Sequence, residues 1–213
     1  MNPACEQVLD AGLDELGLVA PAEQRDRLLA LVALLHKWNR AYNLTAVREP
    51  VAMVQRHLLD SLAIVPWLRG PRLLDVGSGA GLPGLVLAIM RPQLNVTLLD
   101  SNGKKVRFQR QAAYELGLSG VSAVQARVEQ YQAGPFDQIV SRAFAAPQVF
   151  VDASRHLLAS GGEWLAMIGR DDSLRTGALT GATLLECVPL EVPGQQGDRH
   201  LLRLEADEAT TDQ

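Results

Sequence analysis

The stretch that decides the fold is Leu73-Leu74-Asp75-Val76-Gly77-Ser78-Gly79-Ala80-Gly81-Leu82-Pro83-Gly84. A short apolar run enters a cluster of glycines and leaves into a second apolar run. Glycine lets a backbone turn sharply and approach a ligand closely. Pro83 suits the first turn of a helix, where its missing N–H costs nothing. The segment reads as strand, tight loop and helix, the opening unit of an α/β fold.

The same alternation continues downstream. Arg72 to Val76 reads as a strand, Leu82 to Met90 as a helix and Val96 to Leu99 as a strand. Lys104 to Leu116 reads as a helix ended by Gly117, and Val121 to Val124 and Gln138 to Val140 as strands. Val149 to Leu158 completes the set as a helix, followed by a strand at Glu163 to Ile168. Strands alternating with helices imply right-handed crossovers and a parallel sheet covered on both faces. The end differs: Thr183 to Val192 and Arg199 to Leu204, joined by Pro193 to Asp198, read as an antiparallel hairpin.

Upstream the chain reads as helical. Leu28, Leu31, Leu35 and Trp38 form an apolar stripe, which is read as core packing. Asn39 to Thr45 breaks that helix, and Pro50 opens a second one through about Trp67. Gly70-Pro71 marks a boundary. The expected organisation is a helical extension over residues 1–70, a doubly wound domain over 71–205 and a flexible acidic tail over 206–213.

Bulk properties narrow the class. The chain has 213 residues, 47% of them hydrophobic and 21% charged, which suits one globular domain with an extension. No apolar run approaches the ~20 residues that span a bilayer. Met1 to Ala20 carries Glu6, Asp10, Asp14 and Glu15 and no Lys or Arg, so it does not read as a secretory signal. A cytoplasmic monomer away from membranes is expected. Cys5 and Cys187 form no CxxC pair, and His36, His57, His156 and His200 are scattered, so no metal site is expected. Asn43-Leu44-Thr45 is read as a chance glycosylation match. Net charge is −4, but its distribution is uneven. Residues 36–127 hold 12 basic and 5 acidic side chains, whereas both flanks are acidic. Such a middle segment can present a basic face to nucleic acid; uneven scatter is the alternative.

Gly79-x-Gly81-x-x-Gly84 satisfies the dinucleotide pattern, which alone is weak. Asp75, just before the glycines, repels a pyrophosphate but suits a cofactor whose amino acid end carries an ammonium. Asp100 ends the next strand, where a carboxylate can accept both ribose hydroxyls. NAD and S-adenosylmethionine share that ribose, so Asp100 supports a nucleoside without choosing between them. Ala126-Arg127-Val128-Glu129 follows the third strand and would lie beside the adenine, and Arg142 follows the fourth at the same edge. The fourth strand leads into Ser141-Arg142-Ala143-Phe144. It lacks the Asn/Asp-Pro-Pro-aromatic stretch of enzymes that methylate exocyclic amines. Cytosine-C5 chemistry needs a nucleophilic Cys, and none is near. What remains is a substrate atom already nucleophilic, such as guanine N7, for which alignment matters more than a base.

These residues resemble a known family. Trp38-Asn39-x-x-Tyr42-Asn43-Leu44-Thr45 and Arg56-His57-x-x-Asp60-Ser61-Leu62 are similar to the start of the bacterial glucose-inhibited division protein B family. The loop from Asp75 to Gly84, Leu99-Asp100-Ser101, Lys104-Lys105-Val106-x-Phe108 and Ser141-Arg142-Ala143 continue the likeness, from about Leu28 to Gly169. The resemblance implies a Rossmann-like class I methyltransferase fold: a doubly wound, mostly parallel sheet ending in an antiparallel hairpin, with an N-terminal helical extension. It implies S-adenosylmethionine as cofactor and a guanine N7 in 16S rRNA, free or in the small ribosomal subunit, as target. By resemblance Gly77, Leu82, Val128, Glu129 and Arg142 contact the cofactor; Gly79, Gly81 and Asp100 follow from the loop itself. The family usually has Lys where Ile168 stands, and Arg170 is a candidate substitute. His57, Asp60 and Ser61 fall on one helix face and are read as a helix-surface hydrogen-bond set rather than a hydrolase triad. With Asn39, Asn43 and Arg56 they are expected to brace the extension or line the RNA cleft. Lys104, Lys105, Arg107 and Arg110 on one helix either contact phosphates or form a solvated face. Two other readings stay open: a NAD-dependent oxidoreductase, and an RNA-binding module without turnover.

Overall fold

The structure is a computed structural model describing residues 2–142, 146–169 and 179–207. Seven strands form one sheet in the order β3-β2-β1-β4-β5-β7-β6. They are β1 (Arg72–Val76), β2 (Asn95–Asp100), β3 (Val121–Gln125), β4 (Phe136–Arg142), β5 (Leu158–Ile168), β6 (Ala182–Pro189) and β7 (His200–Ala206). β1 to β5 pair in parallel, and β7 runs antiparallel to both β5 and β6. The doubly wound sheet with its terminal hairpin is therefore as expected. β5 begins earlier than its apolar run, because Leu158 already pairs with Phe136 across a register shift before Glu163 meets Gln138.

The helices are α1 (Pro3–Glu15), α2 (Ala22–Tyr42), α3 (Pro50–Met53), α4 (Asp60–Leu62), α5 (Gly84–Met90), α6 (Gly103–Glu115) and α7 (Pro147–Ser154). Asn2 caps α1 by accepting from Ala4 N–H at 3.0 Å, and Asn102 caps α6 by accepting from Lys104 N–H at 3.0 Å. Asn43 ends α2 in the left-handed conformation at φ 50°. The segment read as one helix from Pro50 is instead interrupted: a π-helical turn over Val54–Leu59 joins α3 to α4. Such turns widen the helix by one residue and re-aim the side chains beyond it.

Alternate strand residues face opposite sides. Leu73, Val96, Leu98, Val140, Leu165 and Leu201 share one apolar cluster with Leu9, Leu28, Leu35, Leu58 and Ile64 of the N-terminal helices. Leu74, Leu99, Ile139, Trp164 and Leu202 face the other side, against Phe150 and Val151 of α7. The N-terminal helices thus share this face of the sheet with α5 and α6, against which they pack. Their link to β1 is stitched to β4: Gln138 accepts from Arg69 N–H at 2.6 Å and donates to Trp67 O at 2.9 Å.

Candidate functional site

The strand sequence reverses direction between β1 and β4. Open α/β sheets bind ligands outside the carboxyl ends of their strands at such a switch point. Val76 and Arg142 end the two flanking strands, and Asp100 ends β2. Arg142 is thus the last residue of β4 rather than part of the loop after it. Ala143 and Phe144 lie outside the described residues.

Gly77, Gly79 and Gly81 have φ of 67°, 58° and 76°, where side chains are disfavoured. The loop is held from two sides. Gly77 N–H and Ser78 N–H both donate to Leu99 O, at 2.9 and 3.1 Å. Gln109 of α6, fully buried, donates through Nε2 to Ser78 Oγ and Gly79 O, each at 2.8 Å. The sequence reading missed Gln109. Its signal is a polar residue midway between Val106 and Ala112 on the buried stripe of α6.

Two carboxylates flank the loop in different environments. Asp100 accepts from Gly79 N–H at 2.9 Å and from Asn102 N–H at 2.8 Å, with Lys105 Nζ at 3.7 Å. A carboxylate has about four lone-pair sites, so two remain for a pair of hydroxyls. Asp75 is wholly buried and accepts from Gly84 N–H at 2.8 Å. Its position on β1 has the parity of Leu73, so it points under the loop toward α5. The carboxylate read from the sequence as suiting a cofactor's ammonium thus lies beneath the loop. Burial pushes its carboxyl up to about 7, against the opposing pull of the Gly84 N–H and the Arg142 charge. Its Oδ1 has no partner among the described residues.

The N-terminal motifs converge on the π turn. Asn39, buried, accepts from Thr45 N–H at 2.9 Å and donates to Val47 O at 3.0 Å. Thr45 Oγ1 lies 2.8 Å from His57 Nε2, and His57 Nδ1 lies 3.0 Å from Arg56 O. Nδ1 donates to that carbonyl, and with the ring neutral Nε2 accepts from the Thr45 hydroxyl. Burial, then the Arg142 charge, lowers the His57 pKa to about 4. Ser61 Oγ donates to His57 O at 2.6 Å. Asp60 bridges Arg142 Nη1 at 3.1 Å and Arg199 Nε at 3.4 Å. His57, Asp60 and Ser61 are therefore buried rather than on a helix surface, and each turns to a different partner. No proton relay connects them.

The remaining expected residues are spread around this centre. Leu82 is buried in the core, and Val128 packs with Leu99 at the base of the third-strand loop. Glu129 is exposed beside it. Lys104, Arg107 and Arg110 are exposed on α6, whereas Lys105 reaches Asp100. Ile168 is half-buried at the end of β5, and Arg170 lies outside the described residues. Among the described residues no group of His, Cys, Asp and Glu is placed to hold a metal.

Residues 24–202 match the family described as rRNA small subunit methyltransferase G. The chain belongs to this family. The ribosomal RNA small subunit methyltransferase G of Chromohalobacter salexigens is 65% identical over 205 residues, covering 96% of this chain and 99% of that protein. Its namesake in Pseudomonas syringae pv. tomato is 48% identical over 206 residues, covering 96% and 98%. Among solved structures, a SAM-dependent methyltransferase from Aquifex aeolicus superposes with a TM-score of 0.55 at 15% identity, over 72% of this chain and 92% of that one. That likeness shows the class I methyltransferase fold. Membership in the methyltransferase G family matches the resemblance read from the N-terminal motifs and the glycine loop, and it sets aside the oxidoreductase reading.

Proposed function

We propose that this protein transfers a methyl group from S-adenosylmethionine to N7 of a guanine in the small-subunit 16S rRNA loop near the decoding centre. It would do so as a cytoplasmic monomer. The observation that carries the reading is the union of Asp100 with the glycine loop through Gly79 N–H, at the switch point of a chain matched to the methyltransferase G family.

The residues present fit the cofactor. Asp100 keeps acceptor sites for a ribose, and the open side of Gly79 admits close approach. The Asp100 carboxylate favours a cationic ligand, and Asp75, sealed beneath the loop, holds the Gly84 N–H that starts the following helix. Gly77, Gly79 and Gly81 would make room for it, Val128 and Glu129 would border the adenine, and Leu82 would set the loop's floor. Arg142 would face it across the switch point.

When bound, S-adenosylmethionine supplies a methyl group on a positively charged sulfur. Guanine N7 has a lone pair and no proton to lose, so the chain's task is alignment and exclusion of water. The arrangement agrees with this: His57 is neutral with both ring nitrogens engaged, and Asp75 is sealed from solvent. RNA would approach over the basic middle segment. There Lys37, Arg40, Arg48 and Arg56 are exposed, and Arg48 is held by Asn43 Oδ1 at 3.0 Å. Among the described residues no helix is long and apolar enough to cross a membrane.

The test is transfer of labelled methyl to small subunits from cells lacking this protein, with the modified base identified. Label on guanine N7 supports the proposal. Label on another atom rejects the proposed target, and cofactor or RNA binding without transfer supports the module without turnover.

A further inference from the structure

Arg142 is the one cation that closes the switch point from β4, and it is not held by its own strand. Both of its hydrogen bonds leave from Nη1, to Asp60 Oδ2 at 3.1 Å and Arg56 O at 3.4 Å. Among the described residues Nε and Nη2 make none. Asp60 is 5% exposed and comes from α4, directly after the π turn. A buried carboxylate whose partner is withdrawn is strongly destabilised. Here a second guanidinium, Arg199 at the entry to β7, lies against the other oxygen at 3.4 Å. That oxygen has no hydrogen bond of good geometry. The hairpin loop is fixed to the π turn as well, since Gln195 Nε2 donates to Gln55 O at 2.7 Å.

We propose that Asp60 is a positioning residue for Arg142: it keeps hold of Nη1 so that Nε and Nη2 stay free for the bound cofactor, and Arg199 steadies Asp60 from its other oxygen. Three distant parts of the chain then meet at one carboxylate: the N-terminal helices, β4 and the hairpin. With Nη1 held by Asp60, the direction of Arg142 is set before the cofactor arrives. This rests on the cofactor reading above.

The experiment is a double-mutant cycle in the full chain, read by calorimetric titration with S-adenosylmethionine and by thermal melting. Asp60→Asn keeps the shape and removes the charge. It should weaken cofactor binding about tenfold, the size of coupling between groups in one ionic network. In an Arg142→Ala background the same substitution should change affinity less than about twofold. KM for the cofactor should rise while kcat stays near wild type. Effects that multiply across the two sites, or a lower melting temperature with unchanged affinity, would overturn the proposal. Arg199→Gln is the second variant, should Asp60→Asn fail to fold. It should also weaken binding, because Asp60 then loses the contact that fixes its other oxygen, and unchanged affinity would refute the part given to Arg199. Failure of the wild-type chain to bind the cofactor would instead remove the functional reading beneath it.

Discussion

Gly79 and Gly81 both have positive φ, yet alanine at the two positions should behave differently. An added Cβ on Gly81 would lie 2.5 Å from Leu85 Cδ1 and 2.8 Å from its Cγ. Leu85 is fully buried and cannot swing away. An added Cβ on Gly79 would meet nothing nearer than Gly77 O at 3.9 Å. A left-handed backbone costs an L-residue about 1–2 kcal/mol at either site. Overpacking a filled core adds about 1–3 kcal/mol, at Gly81 only. Gly81→Ala should therefore lose about 2–5 kcal/mol and Gly79→Ala about 1–2 kcal/mol. Total stability of a domain is about 5–15 kcal/mol, so the gap is measurable. Urea unfolding should show a lower midpoint for Gly81→Ala at similar slope. Cofactor titration should show the reverse, with Gly79→Ala weakening affinity by more than its stability loss, because its methyl enters the ligand's space. Equal midpoints for the two variants would mean that Leu85 yields, and the packing argument would fail.

Two buried groups should shape stability with pH in opposite senses. Asp75 is raised from 3.8 to about 7, so the fold prefers its protonated form, and its contribution is lost as pH rises through that window. Asp75→Asn should remove this loss, leaving the variant closest to wild type near pH 4 and relatively more stable above pH 7, as read by melts across pH. His57 is lowered from 6.5 to about 4, so its contribution is present above about 6.5 and lost as pH falls toward 4. His57→Gln should flatten that acid limb while lowering stability at neutral pH; an unchanged limb would show that another group controls it. Arg40 and Arg48 share a surface cleft with His36 and Glu49. If they meet RNA phosphates, Arg40→Ala with Arg48→Ala should reduce the slope of log affinity against log salt by about 1.4 on single-stranded rRNA. An unchanged slope would place RNA elsewhere.

Local pattern made part of this molecule legible. The strand, glycine loop and helix around Gly77 announce themselves because turn chemistry and apolar runs are both local. Asp100 was recognisable because it ends a run of apolar strand residues. What depends on distant partners was not legible. The burial of Asp75 follows from the parity of β1 and the approach of Gly84, not from its neighbours in sequence. Gln109 reads as a polar helix residue until α6 is laid against the loop. The spacing of His57, Asp60 and Ser61 implies one helix face only for a regular helix, and the π turn breaks that premise. The early start of β5 is masked by Gly161-Gly162, which propensity reads as a turn. Arg199 lies in a hairpin whose reach to Asp60 has no local trace at all.

β7 follows β6 in the chain but sits between β5 and β6 in the sheet. That order matters during synthesis. While residues 182–189 have left the ribosome and residues 200–206 have not, β6 has no strand to join, and β5 shows an open hydrogen-bonding edge. An unpaired edge is a template for joining other chains. Asp60 at that moment also lacks Arg199. A chain held with residues 200–206 unpaired would therefore be prone to self-association, even with the glycine loop and Asp100 already formed. Docking of residues 199–206 closes the sheet and completes the charge pairing in a single step.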